Sequence, residues 1–270
     1  MRARCQDVTR CHAWWIVALV ALATIGLPAH AVAQIVNVQG AIAKPPEKDG
    51  VTGQLQLTLD LRRGNNELLD LGASGTVLVR HGRLLGLVIA RGEYGRSADT
   101  TFKRKTFEHV RVRASLDSRW KWEAFAQHEL DTFRRLTVRT LTGTGPAIQL
   151  VDEERVSLLG GAAYMIEYER LDDRADVTDA GERSVFHRAS VYLTGTEKIS
   201  ESAAITQTLY VQPRIDDPGD LRLLGELAVT TKLSKHIALT DGLTIAYDRT
   251  PPDGIKRHDV QLRVALLITF

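Results

Sequence analysis

From Val51 onward, apolar and polar residues alternate. Leu55, Leu57, Leu59 and Leu61 are interleaved with Gln54, Gln56, Thr58, Asp60 and Arg62. On a helix these leucines would be spread around the circumference; on a strand they share one face. The same period returns where Val110, Val112 and Ala114 alternate with Arg111, Arg113 and Ser115, and where Tyr164, Ile166 and Tyr168 alternate with Met165, Glu167 and Glu169. It returns again where Leu221, Leu223, Leu227 and Val229 oppose Arg222 and Glu226. The pattern predicts strands at 51–62, 67–80, 84–94, 106–117, 120–130, 134–150, 155–170, 183–195, 200–213, 220–232, 236–248 and 256–270. Several exceed the roughly 9–11 residues that a strand needs to cross a bilayer.

The connections between these strands differ in length by turns. Short polar ones, such as His81-Gly82-Arg83 and Ser234-Lys235, alternate with longer ones at 95–105, 171–182, 214–219 and 250–254. Short turns on one side and long loops on the other are the habit of outer-membrane barrels, in which the short turns and both termini face the periplasm. Gly64-Asn65-Asn66 departs from this, being short on the long-loop side. The chain ends with Val264, Leu266, Ile268 and Phe270 on one face of the last strand, resembling the signal read by the barrel assembly machinery. The fold expected is all-β: a closed antiparallel transmembrane β-barrel of about 12 strands. The competing fold, a soluble sandwich, uses strands of about 5–6 residues. Closure also removes the unpaired edges of a long open sheet.

The N-terminus is of another character. Arg2, Arg4 and Arg10 precede an apolar run at 14–27, followed by Pro28-Ala29-His30-Ala31-Val32-Ala33. A basic segment, a short apolar segment and small residues at an A-x-A site form a secretory signal peptide, with cleavage expected after Ala31 or Ala33. The domains expected are a signal peptide at 1–33, a mobile periplasmic linker at 34–50 around Lys44-Pro45-Pro46-Glu47, and the barrel at 51–270. Both cysteines, Cys5 and Cys11, fall before the apolar run, so no disulfide framework is expected. After Gln34 no apolar stretch approaches 18 residues, which argues against helical spans. The mean hydropathy of −0.13 fits a barrel in which only alternate strand residues meet lipid. The near balance of 35 Lys and Arg against 33 Asp and Glu argues against a nucleic-acid partner.

Gly64-Asn65-Asn66-Glu67, His128-Glu129-Leu130-Asp131-Thr132-Phe133 and Arg139-Thr140-Leu141-Thr142-Gly143-Thr144-Gly145 resemble segments of a bacterial family labelled salt-induced outer-membrane proteins. Tyr210-Val211-Gln212-Pro213, Asp220-Leu221-Arg222, Pro251-Pro252-Asp253-Gly254 and the closing strand extend the resemblance over roughly 50–270. It implies a barrel in the outer membrane and brings no catalytic motif. Pro146 departs from the family pattern and, lacking an N–H, puts the pairing in the middle of strand 134–150 in doubt.

The inward-facing positions carry the candidate chemistry. Arg111, Arg113, Arg135, Arg139, Arg222 and Arg263, with Glu123, Glu167, Glu169 and Glu226, are expected to point into the lumen. A ring of one sign would select ions; mixed signs favour interlocked pairs that fill the space. No Gly-x-Ser-x-Gly elbow is present. His128 and Glu129 would lie on opposite faces of a strand and cannot chelate together. No catalytic residue, cofactor or metal site is therefore expected. The aromatic residues Trp120, Trp122, Tyr164, Tyr168, Tyr192, Tyr210 and Tyr247 are expected near strand ends or on outward faces, as an interfacial girdle. The reading is an outer-membrane protein with a structural, envelope- or stress-related role, contacting membrane lipids and lipopolysaccharide. A narrow passive channel for ions or small solutes is the alternative, and a lipid-modifying enzyme the least favoured.

Overall fold

The computed structural model describes residues 35, 37–42, 48–63, 67–98 and 100–269. The signal segment with Ala31 and Ala33, Gly64-Asn65-Asn66 and Phe270 lie outside the described residues. The strands are β1 (Gly50–Arg62), β2 (Leu68–His81), β3 (Leu84–Ser97), β4 (Thr100–Ser115), β5 (Trp120–Asp131), β6 (Leu136–Asp152), β7 (Val156–Leu171), β8 (Arg183–Lys198), β9 (Ala203–Pro213), β10 (Leu221–Lys232), β11 (Ile237–Asp248) and β12 (His258–Thr269). Each pairs antiparallel with its neighbours in sequence, and β12 returns to β1 to close the barrel.

The twelve strands fall where the alternation put them, with one substantial difference. Residues 95–105, expected as a loop, are mostly strand: β3 runs to Ser97 and β4 starts at Thr100, with Ala98 at φ 49° in the turn. A bulge between Gly95 and Arg96 adjusts the register. This part of the hairpin is polar on both faces and is tied down by Lys103, whose Nζ lies 2.7 Å from Asp70 Oδ2. Without an apolar face it has no period of two to read. Pro146 sits within a continuous β6; Thr144 still faces Tyr164 and Ala147 still faces Gly161, so the register with β7 survives the missing donor.

The outward face is a belt of exposed apolar side chains. Leu57, Val110, Val112, Leu262 and Val264 all belong to it. In water such a belt would be an aggregation surface; around a closed barrel it is the lipid-facing band. Trp120 and Trp122 project outward beside the short turns, and Tyr164 and Tyr168 project outward on β7. Tyr192 and Tyr210, expected in the same girdle, point inward and are 5% and 3% exposed.

The closure is uneven. β1 pairs with β2 along its whole length, Gly50 to Arg62. Against β12, among the described residues, its pairing runs only from Gln54 with Thr269 to Leu57 with Leu266. Beyond that rung, 58–62 of β1 and 258–265 of β12 keep their other neighbours but do not pair with each other.

Of the linker expected at 34–50, the Pro-containing part at 43–47 lies outside the described residues, and the part before it packs against the inner wall. Residues 35 and 37–42 lie in the lumen, with a single helical turn, α1 (Gln39–Ile42). Val38 and Ile42 pack on Leu78, Leu85, Leu87, Ile89 and Phe107, an apolar patch on the inner wall of β2, β3 and β4. Ile35 packs on Ala147, Leu159, Tyr192, Tyr210, Leu224 and Ala246 of the facing wall. The continuous apolar run at 84–90 follows from this: its outward residues meet lipid, and its inward ones meet the segment.

Candidate functional site

Charged side chains that the strand period aims inward line the lumen of β4 to β10, narrowing it between a cavity of about 310 Å³ beside Arg113 and Lys121 and one of about 250 Å³ beside Glu169 and Arg222. Glu123 on β5 holds two arginines of β4: Arg111 Nη1 lies 2.7 Å from its Oε2 and Arg113 Nε 2.6 Å from its Oε1. Tyr192 on β8 donates to the same carboxylate at 2.9 Å. The Tyr192 ring lies over Gly161 on β7, where a Cβ would collide with it. Gly143 on β6 likewise clears the ring of Phe125. Arg111 stacks over that ring at 4.6 Å from its centroid, and His109 stacks between Phe107 and Phe125.

A second group surrounds Glu167 on β7. Its Oε1 accepts from Arg139 Nε at 2.8 Å and Arg222 Nη1 at 2.6 Å, while Arg188 Nε lies 3.3 Å from its Oε2. Arg222 also donates to Asp248 at 2.9 Å, and Arg188 to Asp220 at 2.9 Å. Glu169 is within 3.5 Å of Arg222. Glu167, Arg139, Arg188 and Arg222 are all buried. Taking such ions out of water is costly, and the mutual attraction offsets that cost only while every partner is in place. The lattice thus fixes a single arrangement of the wall. With both signs interleaved, it forms no selective ring.

The N-terminal segment joins this lattice. Arg113 Nη2 donates to Gln39 Oε1 at 2.8 Å, and the Gln39 amide N–H donates to Asn37 Oδ1 at 2.9 Å. Beside Ile35 and Val38, against His109, Arg111, Met165 and Tyr210, the free volume falls to about 20 Å³, room for about one water. A larger cavity of about 460 Å³ remains along β10, β11, β12 and β1, reaching from Asp259 to Thr240. Glu226 and Arg263 face this cavity, Arg263 held by Glu93 at 2.8 Å.

Arg135, expected on a strand among the lumen charges, lies in the β5–β6 connection after a 3-10 turn (Thr132–Arg134), with a left-handed backbone at φ 64°. Its side chain ties three loops across the mouth: Nε donates to Asp172 at 2.9 Å, and Nη1 donates to Asp179 at 2.5 Å and to the Asp253 carbonyl at 2.9 Å. Thr178 hydrogen-bonds the Asp253 carboxylate through both its N–H and its hydroxyl. Those bonds, with the Arg135 charge, hold Asp253 below the usual carboxylate range.

Arg111, Arg113 and Glu123 are therefore brought into one buried group and Arg139, Glu167, Glu169 and Arg222 into a second, while Arg135, Glu226 and Arg263 belong to neither. Val264, Leu266 and Ile268 line the outward face of β12. The sequence reading missed the N-terminal segment. Its signal was present in the apolar residues Ile35, Val38 and Ile42, which pack on two facing walls.

A closed antiparallel barrel with a lipid-facing belt and a polar, partly filled lumen is an integral outer-membrane β-barrel protein. Residues 55–270 match the family described as "Protein of unknown function, DUF481", and the chain belongs to that family. No curated protein matches it. Among solved structures, the COG4313 outer membrane channel from Pseudomonas putida F1 is similar at a TM-score of 0.50 and 11% identity, covering 84% of this chain and 99% of that one. The NanC porin is similar at 0.47 and 9%, covering 81% and 97%. The translocator domain of autotransporter NalP from Neisseria meningitidis is similar at 0.45 and 11%, covering 98% and 97%. At these identities the likeness is one of fold.

Proposed function

We propose that this protein serves the envelope as a structural barrel rather than as an open porin, with a role under osmotic or envelope stress. The observation that carries the reading is the filled half of the lumen, where the Glu123 and Glu167 lattices and the N-terminal segment leave space for about one water beside Val38. The stress-related part rests on the resemblance to the salt-induced family. Membrane lipids and lipopolysaccharide are its surroundings in this reading, and the assembly machinery reads the last strand. Planar-bilayer recording of the full mature protein, refolded to a heat-modifiable band, tests it: absence of current steps is expected, and open-porin conductance would overturn it. A deletion strain is expected to show increased detergent or salt sensitivity and ordinary growth in standard medium.

A narrow passive channel is the second reading, favoured by the cavity that runs from Asp259 to Thr240. It predicts small discrete steps from the same sample.

A further inference from the structure

Two observations meet at the β1–β12 seam. The first is the seam itself. In the half of the barrel remote from the short turns, 58–62 of β1 and 258–265 of β12 face each other without pairing. Backbone N–H and C=O groups cannot be left bare in lipid, because no water is there to hydrogen-bond them. The outward side chains at these edges are apolar and highly exposed: Leu59 at 67%, Leu61 at 56%, Val260 at 59% and Leu262 at 75%.

The second observation is a guanidinium without a salt-bridged carboxylate. Arg91 on β3 lines the cavity of about 460 Å³ that also has Gln56, Gln261 and Arg263 in its wall. Its guanidinium sits 5.4 Å from the centroid of Phe107, and among the described residues no carboxylate lies within ion-pair distance. The other cations of the cavity are matched: Arg263 by Glu93, Lys103 by Asp70 and Glu93, Lys105 by Glu129 and Asp131, and Arg134 by Asp131 and Asp259. Glu226 lines the same cavity and is hydrogen-bonded to Asn37.

We infer that the unpaired stretch of the β1–β12 seam is a lateral slit through which a long-chain carboxylate enters from the membrane, with its head on Arg91 and its chain between the apolar edges. The slit sits in the lipid-facing belt, so its occupant carries an apolar tail. The guanidinium presents parallel donors that suit a carboxylate. With Glu226 on the same cavity, a monoanionic head meets less repulsion than a dianionic phosphate. This goes beyond the structural role proposed above and stands whether or not the barrel conducts.

The test uses the full mature protein in liposomes and a palmitic acid carrying a photoactivatable diazirine in its chain. Labelling is expected to concentrate on 56–62 and 258–265, to fall for the methyl ester, and to fall about 10-fold or more in Arg91→Gln, the size expected for a lost charge-assisted bond. Hydrogen exchange on the unaltered protein is expected to be faster at 58–62 and 258–265 than in the paired β10 and β11, and this holds even if Arg91→Gln does not fold. Equal protection across the seam would overturn the slit. Labelling spread evenly over the outward belt, equal labelling by acid and methyl ester, or stronger competition by lysophosphatidate than by palmitate would overturn the ligand assignment.

Discussion

Arg113 and Gln39, 74 residues apart, are joined inside the barrel by a hydrogen bond of 2.8 Å. It anchors a segment that precedes every strand to the wall of β4, at the level where Arg113 also meets Glu123. Removing residues 35–42 is expected to leave a heat-modifiable barrel and to produce current steps that the full chain lacks. If the shortened barrel shows no more conductance than the full chain, the segment does not limit passage.

The apolar anchoring of that segment has its own consequence. Ile42 is 2% exposed and packs against Leu78, Leu85 and Leu87. Ile42→Ala is expected to weaken the segment's docking by about 2–3 kcal/mol. A cysteine at Val38 in that background should react with a soluble maleimide faster than the same cysteine alone.

Glu167 is the shared partner of Arg139, Arg188 and Arg222. Glu167→Gln leaves three buried guanidinium groups short of one negative charge. A loss of about 3–5 kcal/mol is expected, read as a lower urea midpoint for unfolding in lipid vesicles. A loss below about 1 kcal/mol would mean that water already screens the cluster.

Tyr192 is a milder case. Tyr192→Phe removes the 2.9 Å bond to Glu123 and keeps the ring over Gly161. It is expected to cost about 1–3 kcal/mol, whereas Gly161→Val, which places a side chain against that ring, should reduce the yield of folded barrel.

The strap across the mouth depends on pH. Asp253 is held below the usual carboxylate range by its Thr178 bonds and by Arg135, with Asp179 the other charged group beside it. A depressed carboxylate contributes stability above its ordinary range and loses it as pH falls through the depressed value. Protease cleavage within 172–182 is expected to be slow at neutral pH and to rise as pH falls below the ordinary carboxylate range. Asp253→Asn should show the raised cleavage already at neutral pH.

Much of the fold was legible because lipid and lumen impose opposite demands on alternate residues. Leu55 to Leu61, or Tyr164 to Tyr168, admit only one face outward. The inward set, including Arg111, Glu123, Arg139 and Glu167, followed from the same parity. The hairpin extension at 95–105 was not legible, since above the membrane both faces are polar and the period vanishes. Tyr192 and Tyr210 were misplaced because an aromatic ring suits either the interface or a filled lumen.

The sequence by itself therefore determined a barrel of about twelve strands and the face each strand turns to lipid, since these follow from local periodicity, while Arg135 shows that it did not place every inward charge. Only the tertiary structure decided which charges pair: Glu167 meets Arg222 across 55 residues and Arg263 meets Glu93 across 170. It alone placed Ile35, Val38 and Ile42 in the lumen and left β1 and β12 partly unpaired. Those outcomes depend on how far apart two walls stand once the barrel has closed, a distance that no local pattern encodes.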